Sequence, residues 1–344
     1  IATNGEEIYA LFHEFENKTT YEAKVANALD KLEAQLQHNQ SDFSTWEEIE
    51  YEMVFLLKKH VEFDPILIKF ENQIVNDSIE ILKNNAIDII ECPDWEGYHA
   101  FFKLDVPLVT RIHGSVTYFN NLENKKKSKI IYFFEKLALR KSNKIIAVSK
   151  FSGMKTKQVF GFKNFDFEVI YNGIDTTRFN PIEGINENHS ILYFGTLARK
   201  KGVLELPYIF NYLNTINKEV KLILIGKDSV DFNEQRSTWE LMQDAFTSDA
   251  LKNVEYKGAI SYQEMNVEIA KSTICIFPSF AEAFPISWLE AMAMKKAIVA
   301  SNIGWASEAL IENESAFLVS PQAHNEFALK INTLLTQKEL RAKL

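Results

Sequence analysis

The chain has 344 residues, which is more than one ordinary hydrophobic core accommodates and predicts two or three domains. Hydrophobic residues make up 46% of the sequence and charged residues 25%, as in a typical globular protein. A formal net charge of −9 argues against a general nucleic-acid-binding protein, and no apolar run is long enough to predict a transmembrane helix. The two cysteines lie far apart and predict no disulfide framework, which favours a reducing, cytoplasmic location.

The first 84 residues carry almost no strand pattern. Four amphipathic helices are predicted there, at Glu6–Phe15, Thr20–Gln37, Trp46–Phe63 and Pro65–Lys83. We expect residues 1–84 to form an all-helical segment. The sequence begins without Met and stops within a helical pattern, so both ends are expected to be truncated.

From Ala86 onward short apolar runs alternate with helical patterns, which predicts an α/β protein with doubly wound parallel sheets. The predicted strands are Ile87–Ile90, Leu108–Ile112, Ile145–Val148, Phe167–Ile170, Ile191–Phe194, Lys221–Ile225, Asn253–Tyr256, Thr273–Phe277 and Ala297–Ala300. The predicted helices are Tyr98–Leu104, Lys129–Lys141, Lys150–Val159, Leu204–Leu213, Trp239–Phe246, Tyr262–Ala270, Pro285–Met294 and Asn325–Leu334. Two Rossmann-like domains are predicted: an incomplete one over residues 85–185, whose first strands are expected to be missing, and a second over residues 186–344.

The strongest local motif follows the strand that ends at Phe277. Glu282 lies in the next loop, and Pro285 is predicted to start a helix, at a position that tolerates the missing N–H. The unpaired N–H groups of a first helical turn bind anions, and a diphosphate has a suitable charge and size. Carboxylates are poor phosphate ligands but good acceptors for sugar and ribose hydroxyls, which suits Glu282 and Glu290.

This segment resembles the E-x7-E signature of the retaining glycosyltransferases of family 4, which have the GT-B fold. Glu282 and Glu290 fall on the two glutamates, so the resemblance implies that Glu282 contacts the donor sugar and Glu290 the nucleotide ribose. It also implies donor contacts at the start of the helix, through Phe284, Pro285 and Ile286. The family commonly has glycine after the first glutamate, where this chain has Ala283.

A second loop begins at Gly195 and carries the consecutive cations Arg199, Lys200 and Lys201. Glycines allow close backbone approach and cations neutralise phosphates. The loop resembles the family's G-R-L-x-x-x-K-G motif, with Lys201 on its lysine. Thr196 stands at the family's arginine position, so Arg199 or Lys200 is expected to supply the second positive charge. The alternative for such a run of cations is a solvated turn.

Weaker matches follow strand ends elsewhere. Residues 172–175, Asn-Gly-Ile-Asp, resemble the family's segment near the interdomain crossing, and Ser307-Glu308 resembles its terminal E-l-i element. His113 follows a predicted strand and resembles the family's H-G turn, which implies a contact with the donor sugar near the scissile bond. A structural histidine is the alternative.

The resemblance implies a metal-independent transfer of a hexose from a UDP- or GDP-sugar to a glycan or lipid-linked acceptor, with retained anomeric configuration. The nucleotide-sugar is the donor substrate, and neither a further cofactor nor a metal is implied. A nucleotide-sugar epimerase of the same fold and a non-catalytic fragment are the alternatives.

Residues 6–84 resemble a different family, the C-terminal part of an HD-domain nucleotide phosphohydrolase. Asp30 matches the last aspartate of that family's metal site, while the matching histidines would precede Ile1. The glycine-rich first loop of a GT-B domain is also missing from the sequence. One alternative is therefore an HD-type hydrolase fragment fused to a non-functional transferase remnant, and another is an all-helical accessory segment.

A basic run, Lys125–Lys129 (Lys-Lys-Lys-Ser-Lys), precedes an apolar helix. Two interpretations stay open: a solvated turn, and peripheral contact with anionic lipid headgroups at the inner membrane face.

Overall fold

The computed structural model describes residues 20–40, 88–101, 106–185 and 187–344, together with short pieces between residues 14 and 80. Helix α1, Tyr21–Gln40, confirms the helix predicted at Thr20–Gln37. Its buried side chains include Ala28 and Leu32, which pack with the side chains of residues 61 and 67 in a small apolar cluster. The other three predicted N-terminal helices fall largely or wholly outside the described residues.

The chain divides into two compact units. The first contains residues 1–110 and 134–144, and the second contains residues 111–133 and 145–344. The domain boundaries drawn from the sequence, 1–84, 85–185 and 186–344, remain a prediction.

A four-stranded sheet has the order β1-β2-β3-β4. Its strands are β1 (Ile90–Pro93), β2 (Leu108–Ile112), β3 (Lys144–Ala147) and β4 (Glu168–Val169). Strand β1 lies three residues later than the predicted strand Ile87–Ile90. The reason is the position of its partner: the Ile90 N–H donates to the Pro107 carbonyl at 2.9 Å, whereas the Ile89 side chain is exposed.

Helices connect these strands. They are α2 (Val116–Leu122), α3 (Lys129–Lys141) and α4 (Lys150–Phe160). The α3 bounds are those predicted, whereas α2 was not predicted. The helix predicted at Tyr98–Leu104 is a short 3-10 turn at Tyr98–Phe101, and residues 102–105 are not described.

A six-stranded sheet in the second unit has the order β10-β9-β8-β5-β6-β7, with every neighbouring pair parallel. Its strands are β5 (Ser190–Phe194), β6 (Lys221–Ile225), β7 (Val254–Tyr256), β8 (Ile274–Phe277), β9 (Ala297–Ser301) and β10 (Phe317–Val319). Strands β5 and β8 are buried along their whole length, as expected for a parallel sheet with both faces covered. Strand β10 was not predicted.

Helices pack beside this sheet. They are α5 (Leu206–Ile216), α6 (Thr238–Ala245), α7 (Ser248–Leu251), α8 (Met265–Lys271), α9 (Ile286–Ala293), α10 (Ala306–Ala309), α11 (His324–Thr336) and α12 (Lys338–Lys343). The core includes two fully buried tryptophans, Trp288 and Trp305.

The predicted α/β class with parallel sheets is therefore confirmed. In such sheets the loops that follow the carboxyl ends of the strands form the binding edge. The loops after β2, β5, β6 and β8 lie in the second unit, and they carry most of the site residues identified from the sequence. Among the described residues, no helix has both the length and the apolar character needed to cross a bilayer.

Candidate functional site

The loop between β8 and α9 carries the two glutamates of the strongest motif. Glu282 lies in the loop and is 7% exposed, and Glu290 lies inside α9 and is 5% exposed. Pro285 precedes the helix, with an extended backbone (φ −73°, ψ 122°), so α9 begins at Ile286 rather than at the predicted Pro285. Phe284 and Pro285 are buried, whereas the Ile286 side chain is 47% exposed.

Glu282 forms an ion pair with Lys201, a residue of the loop after β5. The Lys201 ammonium donates to Glu282 Oε1 at 2.6 Å, and the Ser279 hydroxyl donates to the same oxygen at 3.2 Å. The carboxylate side chain is 9% exposed and the lysine side chain 27%. The fold thus brings together two residues that lie 81 positions apart and that the sequence assigned independently to the donor site.

The β5 loop packs directly against the β8 loop, because Gly202 has no side chain. Its φ is +68°, and a Cβ at this position would lie 1.8 Å from the Pro278 carbonyl oxygen. The Lys200 carbonyl accepts hydrogen bonds from the main-chain N–H groups of Phe280 (2.8 Å) and Ala281 (3.2 Å). At the start of the same loop, Gly195 has a φ of +143° and donates its N–H to the Ile225 carbonyl.

Arg199 points to the loop after β6. Its guanidinium makes a two-pronged contact with the carboxylate of Asp231, at 2.8 Å and 3.0 Å. The Asp231 side chain is 1% exposed. The hydrogen bond from Arg199 holds the pKa of Asp231 below its usual range, and the same bond raises the pKa of Arg199. The predicted contact of Arg199 with the donor diphosphate stays a prediction.

Lys200 is half-buried, and its ammonium lies 3.8 Å from the centre of the Phe119 ring. Burial lowers the pKa of Lys200, and the neighbouring Lys201 lowers it further. The two consecutive lysines therefore have different partners: an aromatic face for Lys200 and the Glu282 carboxylate for Lys201.

Glu290 accepts a hydrogen bond from the Tyr262 hydroxyl at 2.7 Å. Burial raises the pKa of the Glu290 carboxyl, and the Tyr262 bond opposes that rise. Burial and this carboxylate raise the pKa of Tyr262 to about 12. The tyrosine ring also packs near Phe179, at 5.4 Å, and the Arg178 guanidinium lies 5.1 Å from its centre. Glu290 is therefore a buried acceptor whose side chain is already oriented.

Three consecutive carbonyls of the β8 loop accept hydrogen bonds from side chains of residues 118–172. The Tyr118 hydroxyl donates to the Glu282 carbonyl at 2.8 Å, and the Ser149 hydroxyl donates to the Ala283 carbonyl at 2.7 Å. The Asn172 amide donates to the Phe284 carbonyl at 2.9 Å. These donors fix the main chain of the loop from Glu282 to Phe284.

Other residues identified from the sequence lie at different positions. His113 directly follows β2 and is exposed. Glu308 accepts hydrogen bonds from the N–H groups of Lys150 (2.6 Å) and Phe151 (2.7 Å), so it caps the first turn of α4. Asp30 is exposed on α1 and pairs with Lys31 at 2.7 Å.

Sequence reasoning did not find Tyr118, Tyr262 or Asp231. None of them belongs to a short motif, and each reaches its partner over 28 to 164 residues of chain. Ser149 had a usable signal, since a serine before a helical pattern is a preferred N-cap, and it caps α4 here.

Three family models match the sequence. Residues 175–344 match glycosyl transferases group 1, and residues 50–178 match glycosyltransferase family 4. Residues 2–66 match an HD domain, which confirms the resemblance seen in the N-terminal segment. The family 4 and HD matches overlap over residues 50–66.

Curated relatives carry related names. The chain is 28% identical over 242 residues to an uncharacterized glycosyltransferase of Methanocaldococcus jannaschii. This alignment covers 70% of this chain and 62% of that protein. It is 25% identical over 258 residues to a glycogen synthase of Mycobacterium tuberculosis, covering 72% of this chain and 60% of that one. The chain thus spans about three fifths of the length of these relatives.

Among solved structures, HepE of Anabaena in complex with UDP and glucose superimposes with a TM-score of 0.62 at 22% identity. The match covers 79% of this chain and 74% of that one, and it shows a common fold. Taken together, the two adjoining sequence matches, to family 4 over residues 50–178 and to group 1 over residues 175–344, identify the chain as a glycosyltransferase of the family 4 type, and the likeness to HepE shows that its fold is GT-B.

Proposed function

We propose that this chain transfers a hexose from a UDP- or GDP-sugar to a glycan or lipid-linked acceptor, with retention of the anomeric configuration. The observation that carries the proposal is the ion pair between Lys201 and the buried Glu282, at the point where the β5 and β8 loops meet. A nucleotide donor is also supported by the UDP bound to HepE, and a hexose by the glycogen synthase among the relatives.

In this proposal the donor diphosphate lies against Lys201 and the start of α9. Main-chain N–H groups in a first helical turn carry partial positive charge and attract phosphate. When the bond between sugar and phosphate breaks, negative charge grows on the leaving nucleoside diphosphate. A lysine ammonium fixed at that point stabilises the transition state more than the ground state.

The two glutamates and His113 then recognise hydroxyl groups. In the proposal, Glu290 accepts from a ribose hydroxyl and Glu282 accepts from a hydroxyl of the donor sugar; the bonds that Tyr262 and Lys201 make to these two carboxylates support the assignment. His113, which follows β2, is assigned to the donor sugar near the scissile bond. Retention of the anomeric configuration is assigned from the family resemblance.

The test is the release of UDP or GDP by the full chain in the presence of glycan acceptors, with the product configuration read by NMR. Glu282→Gln keeps the size of the side chain and Lys201→Met keeps its packing. Each is expected to lower kcat by about 10²–10³, as for the loss of one group that stabilises transition-state charge. Glu314→Ala, an exposed carboxylate of the same unit, is the control and should retain full activity. Full activity in both site variants would refute the assignment.

Two other outcomes identify the alternatives. A new sugar formed from the donor without an acceptor would indicate an epimerase. Metal-dependent phosphate release from deoxynucleotides that Asp30→Ala abolishes would indicate the HD-type hydrolase, which the family match over residues 2–66 favours for the N-terminal segment.

We also propose that the basic run touches the inner face of a membrane. Three exposed lysines, Lys126, Lys127 and Lys129, directly precede or start α3, whose first turns expose Ile130 (67%) and Phe133 (58%). Each lysine near an anionic surface contributes about 1 kcal/mol. Sedimentation with phosphatidylglycerol vesicles should capture the protein, and Lys126→Glu with Lys127→Glu should abolish capture. Equal capture by neutral phosphatidylcholine vesicles would contradict this role.

A further inference from the structure

A cavity lies beside the loop after β5, in the second unit. It has a volume of about 210 Å³ and is lined by Glu123 and Lys125, by residues 198–200 and by residues 229–233. Pockets for drug-sized ligands usually measure about 300–1,000 Å³. The volume lies below that range and accommodates a single sugar ring.

One wall of the cavity is the hairpin formed by residues 228–238, which an antiparallel bridge between Val230 and Ser237 closes. Its turn is organised around Asp231, which accepts hydrogen bonds from the N–H groups of Asn233 and Glu234 as well as from Arg199. The turn is thus fixed to the β5 loop before any ligand binds. A preorganised wall loses little conformational entropy on binding.

The tip of this hairpin exposes two apolar side chains. Phe232 is 72% exposed and Val230 is 68% exposed, and both line the cavity. The Lys125 ammonium lies 5.4 Å from the centre of the Phe232 ring. An exposed aromatic ring beside a cavity lined by charged side chains suits the C–H face of a pyranose, which buries apolar surface while its hydroxyls stay hydrogen-bonded.

The lining carries an excess positive charge. Three cations, Lys125, Arg199 and Lys200, face two carboxylates, Glu123 and Asp231, which leaves one positive charge. Lys125 pairs with Glu123 at 2.6 Å, and Arg199 pairs with Asp231.

Lys200 supplies the remaining charge. Across the part of the chain that the structure describes, its ammonium has the Phe119 ring as its close partner and no carboxylate within ion-pair distance. A half-buried ammonium of this kind gains from a ligand anion, because the anion restores the electrostatic stabilisation that burial removes.

We propose that this cavity binds the acceptor through a sugar ring that carries an acidic substituent, with the ring packed on Phe232 and the acid paired with Lys200. The inference rests on the proposed transferase function. Lys200 and Lys201 are adjacent in the chain, so the cavity adjoins the donor site, as an acceptor subsite must. The acid is a carboxylate or a phosphate, and both recognise an ammonium through charge-assisted hydrogen bonds.

The test uses ligand-observed NMR on the full chain in an excess of UDP or GDP, whichever binds in calorimetry, so that the proposed donor site is occupied. Three probes are compared: methyl glucoside, methyl glucuronide and glucose 6-phosphate. At least one acidic probe should bind fivefold or more tightly than the neutral one, and the preferred probe identifies the acid. Lys200→Met should remove this preference, whereas Phe232→Ala should weaken all three probes.

Lys330→Met is the matched control, because Lys330 also lies over a phenylalanine ring, Phe317, at 4.3 Å, but outside the cavity. It should change nothing. An acidic preference that survives Lys200→Met, or binding indifferent to Phe232→Ala, overturns the proposal. Calorimetry with UDP and with GDP keeps the two hypotheses apart: normal binding of either nucleotide without any probe effect refutes the acceptor subsite alone. Absent binding of both nucleotides with the expected probe effects refutes the donor site alone.

Discussion

The close packing of the β5 and β8 loops gives the sharpest test of the candidate site. In Gly202→Ala the new Cβ would lie 1.8 Å from the Pro278 carbonyl oxygen and 2.6 Å from its carbon. These are main-chain atoms, so the loops must separate. A left-handed backbone costs a non-glycine residue about 1 kcal/mol, and overpacking costs about 1–3 kcal/mol more. We therefore expect a loss of about 2–4 kcal/mol in the free energy of unfolding.

Gly161→Ala provides a matched control. Gly161 caps α4 with nearly the same backbone angle, φ +63°, but a Cβ there would meet no atom within 4 Å. Its expected cost is about 1 kcal/mol, from the backbone alone. Both substitutions lower the entropy of the unfolded chain equally, so the difference between the two variants isolates the steric contact.

Urea unfolding is followed by tryptophan fluorescence, to which Trp288 and Trp305 contribute as buried residues of the unit that contains both glycines. Calorimetry with UDP then measures the donor site, where Gly202→Ala should weaken binding at least tenfold and Gly161→Ala should leave it unchanged. If Gly202→Ala proves no less stable than Gly161→Ala, the two loops do not pack as described, and the reasoning about their junction is wrong.

Three further substitutions test the buried charges, each by urea unfolding. Arg199→Met leaves the Asp231 carboxylate without its main partner and should cost about 2 kcal/mol at pH 7, at the low end for a buried pair because the arginine is 41% exposed. Since the folded pKa of Asp231 is lowered, the pair's stabilisation is present above the unfolded value of about 3.9 and is lost as pH falls through the folded pKa. The deficit of Arg199→Met relative to wild type should therefore shrink in acid, and a constant deficit would contradict the pairing. Tyr262→Phe removes a hydrogen bond that favours the ionised form of Glu290. The folded pKa of Glu290 is raised, so the stability that comes with its neutral form is lost as pH rises through that pKa. The Tyr262 bond therefore contributes most where Glu290 is ionised. Its cost of about 1.5 kcal/mol should be larger at pH 8 than at pH 4, and the reverse order would exclude this role. Glu308→Ala removes the acceptor of two N–H groups at the start of α4 and should cost about 1–2 kcal/mol, whereas an unchanged midpoint would show that the cap is dispensable.

The sequence predicted elements best where a single periodic pattern decides them. Helix α3 has the bounds that its apolar pattern predicts, and β2 and β6 coincide with their apolar runs. Strand β10, Phe317–Val319, has only three residues and forms because it pairs with β9, which no local pattern reveals. The shift of β1 has the same origin, since a partner at Pro107 sets where the strand lies.

The site residues divide in the same way, into those that a local pattern predicts and those whose contacts depend on distant parts of the chain. The motifs placed Glu282 and Lys201 on two loops that the fold brings together, because each motif follows a strand end, and they placed Glu290 in the helix after the second loop. The motifs could not separate the tasks of the three consecutive cations. Arg199 and Lys200 have partners, Asp231 and Phe119, that are determined only when distant loops meet.

The three carbonyls of the β8 loop that accept from Tyr118, Ser149 and Asn172 have a thermodynamic consequence. All three donors lie outside residues 175–344, the part that matches the group 1 model. If the proposed nucleotide donor binds at this loop, its affinity depends on both of these sequence regions. A fragment of residues 186–344 alone would lose three loop hydrogen bonds of about 1 kcal/mol each. The loop would then become ordered only when a ligand binds, and the entropy cost of ordering it would weaken binding. By thermodynamic linkage, a donor that orders this loop also stabilises the hydrogen bonds that the loop accepts from Tyr118, Ser149 and Asn172.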